Sequence, residues 1–228
     1  GKLKLTGVKL LVLDEFDRLL GKQHLDEVRA LLRLLPAERQ TLLLSATAGA
    51  SAVRMAEELC APRLIRVAGV DAAYENYYHI VPFRDKIKAV QKLTRRLPIR
   101  RGLVFVGRGF DAAHALEKLR FEGIRAVALI GQERRDQRRA ALDAIRAGRA
   151  ELLISTDLAA RGLDIEDVDY VIHLDLPEDV RTYRHRAGRT ARAGKAGAVI
   201  SLVDEKEQGR LKALAARMEI ELARLPRA

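Results

Sequence analysis

Short, continuous apolar runs alternate with longer stretches of helical periodicity along the whole chain. A strand buried on one face shows every second residue apolar, whereas a strand buried on both faces reads as an unbroken apolar run. Such runs occur at residues 9–13, 41–44 and 63–67, and again at 102–106, 126–129, 151–155, 170–173 and 197–203. Helices are predicted near 25–35, 50–59, 135–147, 182–186 and 205–219. A further helix starts at Asp111, a good cap, and ends before Gly123, while Gly148 closes the helix at 135–147. Strands buried on both faces and interleaved with helices make an α/β protein with parallel sheets covered on each side. Residues 68–82 show no clear periodicity and read as a connection between two lobes, 1–67 and 83–228. Ligands of such sheets sit beyond the carboxyl ends of the strands, and every polar cluster below is expected there.

At 228 residues the chain has more than one domain of about 150 residues and less than two. Apolar residues make up 48%, enough for a packed core. No run approaches the roughly 18 apolar residues of a membrane span, so no membrane role is expected. The single cysteine, Cys60, excludes a disulfide scaffold or a cysteine-built zinc site and fits a reducing cytoplasm. Lys and Arg total 42 against 31 Asp and Glu, a net charge of +11. That excess suits a polyanionic partner, and the preponderance of Arg suits bidentate phosphate contacts. A gene with biased base composition accounts for the Arg content equally well, so charge alone does not decide function.

Four polar clusters follow apolar runs. Asp14, Glu15 and Asp17 come directly after the first. An acid at a strand end can hold Mg²⁺ and its neighbour can position a water for phosphoryl transfer, although acids also favour the first turn of a helix. Ser45 and Thr47 follow the second run; they can link a nucleotide site to another element, or simply cap a helix. Thr156 opens the segment Thr-Asp-Leu-Ala-Ala-Arg-Gly-Leu-Asp ending at Asp164, where a hydroxyl and backbone N–H can meet a phosphate and an acid can meet a ribose. His185, Arg186, Arg189 and Arg192 form the last cluster. On a helical turn, Arg189 and Arg192 would point to one side and could face a γ-phosphate, or form a solvated basic helix end.

The order of these segments, Asp-Glu-x-Asp, Ser-Ala-Thr, Thr-Asp-x-Ala-Ala-Arg-Gly-Leu-Asp and His-Arg-x-Gly-Arg-x-x-Arg, resembles the DEAD-box RNA helicase family. Residues 103–106 and 171–177 extend the resemblance over nearly the whole chain. It implies RecA-like lobes, one partial and one complete, that close on ATP, Mg²⁺ and single-stranded RNA and separate short duplexes. Asp14 and Glu15 would serve Mg²⁺, through water, and the attacking water. Asp17, Ser45 and Thr47 would couple hydrolysis to lobe closure. Gly162 and Asp164 would line the nucleotide, Arg189 and Arg192 would be arginine fingers, and His185 would bridge the lobes. Thr156, Gly131, Arg138 and Arg134 would touch the RNA backbone.

Four residues depart from the family pattern: Phe16 where Ala is usual, Ile130 for His, Arg135 for Gln and Ala191 for Gly. A ring at position 16 must find space near the nucleotide or the Ser45–Thr47 segment. The phosphate-binding loop Gly-x-x-x-x-Gly-Lys-Thr is missing, since Gly1-Lys2, Gly21-Lys22 and Gly194-Lys195 lack both its hydroxyl residue and its first glycine. The first lobe is therefore expected to be truncated, the chain inactive alone, and its bare sheet edges a possible route to self-association. An ATP-independent RNA-binding or regulatory module is the alternative, and a DNA-directed helicase a third reading.

Overall fold

The computed structural model describes the chain except residues 1–3, 22, 61, 62, 64, 66–73, 108, 132, 133, 161–164, 166, 192, 193 and 226–228. It divides into two compact units, Gly1–Ala68 and Gly69–Ala228.

In the first unit β1 (Leu10–Asp14) leads through α1 (Phe16–Leu19) and α2 (Leu25–Leu34) to β2 (Gln40–Leu44), and α3 (Ala50–Cys60) follows. The two strands pair in parallel, Leu10 opposite Gln40 through Asp14 opposite Leu44. Leu13, Phe16, Leu20, Val28 and Ala56 form the core on one face. Phe16 is only 6% exposed, so its ring is accommodated in this core. The opposite face carries Leu10, Val12, Leu42 and Leu44 in solvent. The strand expected at 63–67 falls mostly on residues outside those described; Arg63 and Ile65 are not in a strand, and Ile65 is exposed.

The second unit holds β3 (Tyr74–Ile80), a 3₁₀ turn (Phe83–Asp85), α4 (Lys86–Arg96), β4 (Gly102–Phe105), α5 (Ala112–Phe121), β5 (Ala126–Leu129) and α6 (Arg135–Arg146). It continues with β6 (Leu152–Ser155), β7 (Tyr170–His173), α7 (Val180–Ala187), β8 (Gly197–Val203), α8 (Gln208–Met218) and β9 (Ala223–Arg224). All seven strands are parallel, in the order β5-β6-β4-β7-β8-β3-β9. Alternate residues serve opposite faces. Leu103, Phe105, Leu153, Val171 and Val199 pack with α6, α7 and α8. Val104, Leu152, Ile154, Ile172 and Ile200 pack with α4 and α5. This is the two-sided burial that the unbroken apolar runs predict.

The reading of 68–82 as connection needs correction, because Tyr74–Ile80 is a strand of the second unit. Its Tyr-Glu-Asn-Tyr-Tyr-His-Ile sequence lacks an aliphatic run because it lies between β8 and the two-residue β9 and stays half-buried. Tyrosine suits such a position, presenting a ring to the core and a hydroxyl to polar partners. Tyr77 accordingly donates to Glu75 at 2.8 Å. The α4 helix also escaped the sequence reading.

The expected caps are present: Asp111 Oδ1 accepts from the N–H groups of Ala113 and His114, and Gly123 and Gly148 adopt positive φ after their helices. Ala191, by contrast, carries a Cβ at φ 54 while nearly buried. A left-handed conformation costs a non-glycine residue about 1–2 kcal/mol. Part of this would be recovered in Ala191→Gly, since glycine also gains freedom in the unfolded chain. The variant is expected to be about 0.5–1 kcal/mol more stable by urea denaturation.

Candidate functional site

In the first unit the strand end positions the acids. Asp14 is the last, exposed residue of β1, and its Oδ1 accepts from the Glu15 N–H at 2.9 Å. Glu15 sits at φ 50, in the left-handed region, between strand and helix. Non-glycine residues held there cluster at functional sites. Asp17 is 4% exposed and takes two hydroxyl donors, Ser45 Oγ at 2.8 Å and Thr47 Oγ1 at 2.9 Å. The Thr47 N–H returns to Ser45 Oγ at 3.0 Å. One buried carboxylate thus fixes the loop after β2 to the first turn of α1.

In the second unit β5, β6, β4 and β7 end level, with Leu129 opposite Ser155, Ser155 opposite Phe105, and Phe105 opposite His173. Just beyond this line Thr156 Oγ1 donates to the Ile130 carbonyl at 3.4 Å and accepts from the Ala159 N–H at 3.3 Å. Arg138 Nη1 donates to the Ala159 carbonyl at 3.0 Å. Thr156, Arg138 and the Ile130–Gly131 turn are therefore gathered at one carboxyl edge. Arg134 stands at the start of α6, exposed and 3.3 Å from Asp136. The edge combines exposed Arg side chains, a hydroxyl and a helix N-terminus, the donor types that bind phosphates.

The Arg189 cluster does not join them. The α7 helix ends at Ala187 and Arg189 lies in the turn that follows it, so the premise of a helix carrying Arg189 is corrected. Thr190 instead bridges to Val168 and donates to its carbonyl, and a Cβ on Gly197 would lie 2.1 Å from Thr190 Oγ1. Val168 precedes β7 and Gly197 begins β8, so Arg189 lies at the amino edge of the sheet. The expectation that all polar clusters share the carboxyl edge is corrected accordingly. The cause is α7, which runs against the strands and carries the chain back about 12 Å in eight residues. His185 is half-exposed on the last turn of α7. Gly162, Asp164 and Arg192 lie outside the described residues.

Residues 1–56 match the family model described as DEAD/DEAH box helicase, and residues 85–194 match the helicase conserved C-terminal domain. The DEAD-box ATP-dependent RNA helicase CshC of Bacillus cereus is 36% identical over 96% of this chain and 57% of its own length. The probable ATP-dependent RNA helicase YfmL of Bacillus subtilis is 37% identical over 97% and 60%. The chain thus spans somewhat over half the length of these relatives. Among solved structures, Saccharomyces cerevisiae Dbp5 bound to RNA and ADP BeF3 matches with a TM-score of 0.88 and 32% identity, covering 98% of this chain and 61% of that one. The structure of the C-terminal domain of the DEAD-box protein Dbp5 matches with a TM-score of 0.62 and 34% identity, over 69% of this chain and 92% of that one. The chain belongs to the DEAD-box helicase family.

Within this DEAD-box chain, sequence reasoning quoted Arg186 and Asp157 without giving them a role. Arg186 is 3% exposed, and its guanidinium reaches Asp157 Oδ1 at 2.6 Å, Asp157 Oδ2 at 2.7 Å and the Asp175 carbonyl at 2.7 Å. It also lies 4.8 Å from the Phe105 ring centroid. The bidentate geometry and stacking are specific to arginine. The side chain points back along α7, so one residue joins the helix preceding Arg189 to the loop that begins at Thr156. Lys86, fully buried, donates to Glu207 Oε2 at 2.6 Å and to the Leu174 carbonyl at 3.1 Å, tying α4 to the segments after β7 and β8. Adjacent to both, Asp175 accepts from the Gly107 N–H at 2.6 Å. Burial raises the Asp175 carboxyl above its ordinary pKa.

Behind Arg186 lies His173, fully buried, 3.0 Å from Ser201 Oγ and edge-on to Tyr183 at 5.0 Å. Burial, and then the Arg186 charge, hold its ring well below the ordinary pKa of 6.5. Two outcomes follow. Removing Arg186 leaves Asp157 without its partner, and loss of one member of a buried pair costs about 3–5 kcal/mol. Asp157 is 45% exposed and can regain water, so Arg186→Ala is expected near the low end, about 3 kcal/mol by urea denaturation. Arg186→Lys, keeping the charge but not the fork, should recover only part. The second outcome concerns pH. The folded His173 binds fewer protons than the unfolded one, so its contribution is complete above pH 6.5 and shrinks as pH falls below it. The unfolding free energy from urea denaturation should fall by up to about 1.4 kcal/mol per pH unit there, and His173→Asn should remove that slope.

Proposed function

We propose that the protein to which this chain belongs is an ATP-dependent RNA helicase that separates short duplexes by closing two RecA-like lobes on ATP and one RNA strand. In this reading residues 1–67 are the carboxyl-terminal portion of the first lobe, 83–228 the second lobe, and 68–82 the passage between them, with Tyr74–Ile80 already inside the second sheet. The observation that carries it is the assembly of Thr156, Arg138 and the Ile130–Gly131 turn at one sheet edge, in a chain whose relatives are called RNA helicases.

Each residue then has a chemical task. Thr156, Gly131, Arg138 and Arg134 hold RNA phosphates, giving affinity without base preference. Arg189 and Arg192 face the γ-phosphate and offset the charge that spreads over its oxygens in the transition state. Glu15 orients the attacking water and accepts its proton. Gly162 and Asp164 line the nucleotide, Asp164 toward its ribose. The Asp17–Ser45–Thr47 hydrogen bonds make the loop after β2 respond to any shift of the loop carrying Glu15. His185 bridges the lobes.

Among the described residues no group of three or more His, Cys, Asp or Glu could enclose a metal ion. Mg²⁺ suits this donor set nevertheless, because it keeps several waters and takes one or two carboxylates plus substrate phosphates. Asp14 is an exposed carboxylate of that kind. Mg²⁺ bound there would neutralise phosphate charge. Among the described residues no helix is long and apolar enough to cross a membrane, and we place the reaction in the cytoplasm.

The sequence of this chain contains no loop able to wrap the β- and γ-phosphates. The 228-residue chain alone should therefore release phosphate from ATP at the background rate in a malachite-green assay, with or without RNA. RNA-stimulated turnover would contradict this. Salt-sensitive RNA binding that ATP leaves unchanged would favour the alternative of an RNA-binding module.

A further inference from the structure

Phe83, in the 3₁₀ turn after β3, stacks on Phe110, in the loop after β4, with ring centroids 4.4 Å apart and planes 24° apart. Phe110 also packs against the core on the α4–α5 face, whereas Phe83 remains 45% exposed. The ring lies close over Gly109, where an added Cβ would be 3.4 Å from it. The Lys86 ammonium lies 5.7 Å from the ring centroid. The chain thus spends a large aromatic, fixed in orientation by three neighbours, on a surface turn where a polar residue would serve the fold.

The location suggests the ligand. Phe110 follows β4, whose last residue is level with Ser155, and Ser155 is level with Leu129. Parallel neighbours are about 4.8 Å apart, so the loop leading to Phe110 leaves the sheet about 5 Å from where the chain reaches Thr156 and about 10 Å from where it enters the Ile130–Gly131 turn, along the same edge. Adjacent nucleotides of one strand span such distances. Arg84, beside Phe83, has a side chain that is 88% exposed, with its Nε 3.8 Å from Asp85 Oδ2. The Asp175 carboxylate lies beneath the loop and is engaged by the Gly107 N–H, so this spot suits an uncharged base better than a phosphate.

We infer that the Phe83–Phe110 pair is a nucleobase-stacking platform for the RNA strand whose phosphates meet Thr156, Gly131 and Arg138. The inference rests on the RNA reading given under Proposed function. Aromatic platforms of this kind bind any base through its π-face and add affinity that salt screens little.

The chain contains no tryptophan, so Phe83→Trp introduces a single fluorescent indole at the platform. Titration with single-stranded oligoadenylate should quench it, saturating at the concentration where labelled RNA anisotropy reports binding to the unaltered chain. Phe83→Ala should weaken oligoadenylate binding about tenfold, the roughly 1.4 kcal/mol expected of one stacked base, and leave the salt slope unchanged. Arg138→Ala should instead lower the salt slope. Phe83→Leu, similar in bulk but without a π-face, guards against a folding defect and should lose affinity like Phe83→Ala. Binding with no quenching and full affinity in both Phe83 variants would refute the platform and leave the RNA reading intact. Failure of the unaltered chain to bind RNA at all would overturn both.

Discussion

Burial of the second unit's sheet on both faces is the constraint from which its chemistry follows. The four central strands are closed to water, so no polar side chain can act from the middle of the sheet without a desolvation cost. His173 illustrates the limit: it is tolerated in β7 as a neutral ring with one hydrogen-bonding partner. Polar function is therefore pushed to the strand ends. Which end is decided by what comes last before the functional residue. A residue that directly follows a strand emerges at the carboxyl edge, and one that follows a helix emerges at the amino edge. Thr156 and Arg189 are both polar residues at the ends of regular elements, yet they leave the sheet on opposite sides.

Two edges of one sheet need a physical link if they are to act together. Arg186 supplies it in covalent reach: its backbone belongs to the last turn of α7, while its guanidinium is clamped by Asp157 and the Asp175 carbonyl near the carboxyl edge. A planar fork held at three points leaves the helix end and the loop few relative positions. The first unit uses the same device at smaller scale, with one buried carboxylate joining α1 to the loop after β2 through hydroxyls. In both cases the hydrogen bonds hold two segments in one relative position.

Much of this was legible from sequence for definable reasons. Aliphatic runs of four or five residues gave β1, β2 and the central strands of the second unit, because two-sided burial leaves no freedom for polar residues. Asp111, Gly123 and Gly148 marked helix ends through chemistry local to the chain. Failures arose where tertiary context replaced the local signal. Tyr74–Ile80 is half-buried at the sheet's periphery, so its tyrosines and histidine carry no strand period. The spacing of Arg189 and Arg192 suggested a helical turn, but Thr190 is captured by Val168, a partner 22 residues away. The reach of Arg186 to Asp157, 29 residues distant, is likewise invisible to any local rule.

The four departures from the family pattern can now be separated by where they act. Phe16 is absorbed by the first unit's core, so its bulk acts on packing behind Asp17 rather than in the space before Asp14. Ala191 carries a backbone cost at a turn whose neighbour, Thr190, is locked in place, so the strain is borne locally and bears on the orientation of Arg189. Ile130 contributes its carbonyl, not its side chain, to Thr156, which explains why an aliphatic residue can stand there without dismantling the cluster. Arg135 is exposed in the first turn of α6. A cation opposes the helix dipole there, a small cost that only an anionic partner at the same edge would offset.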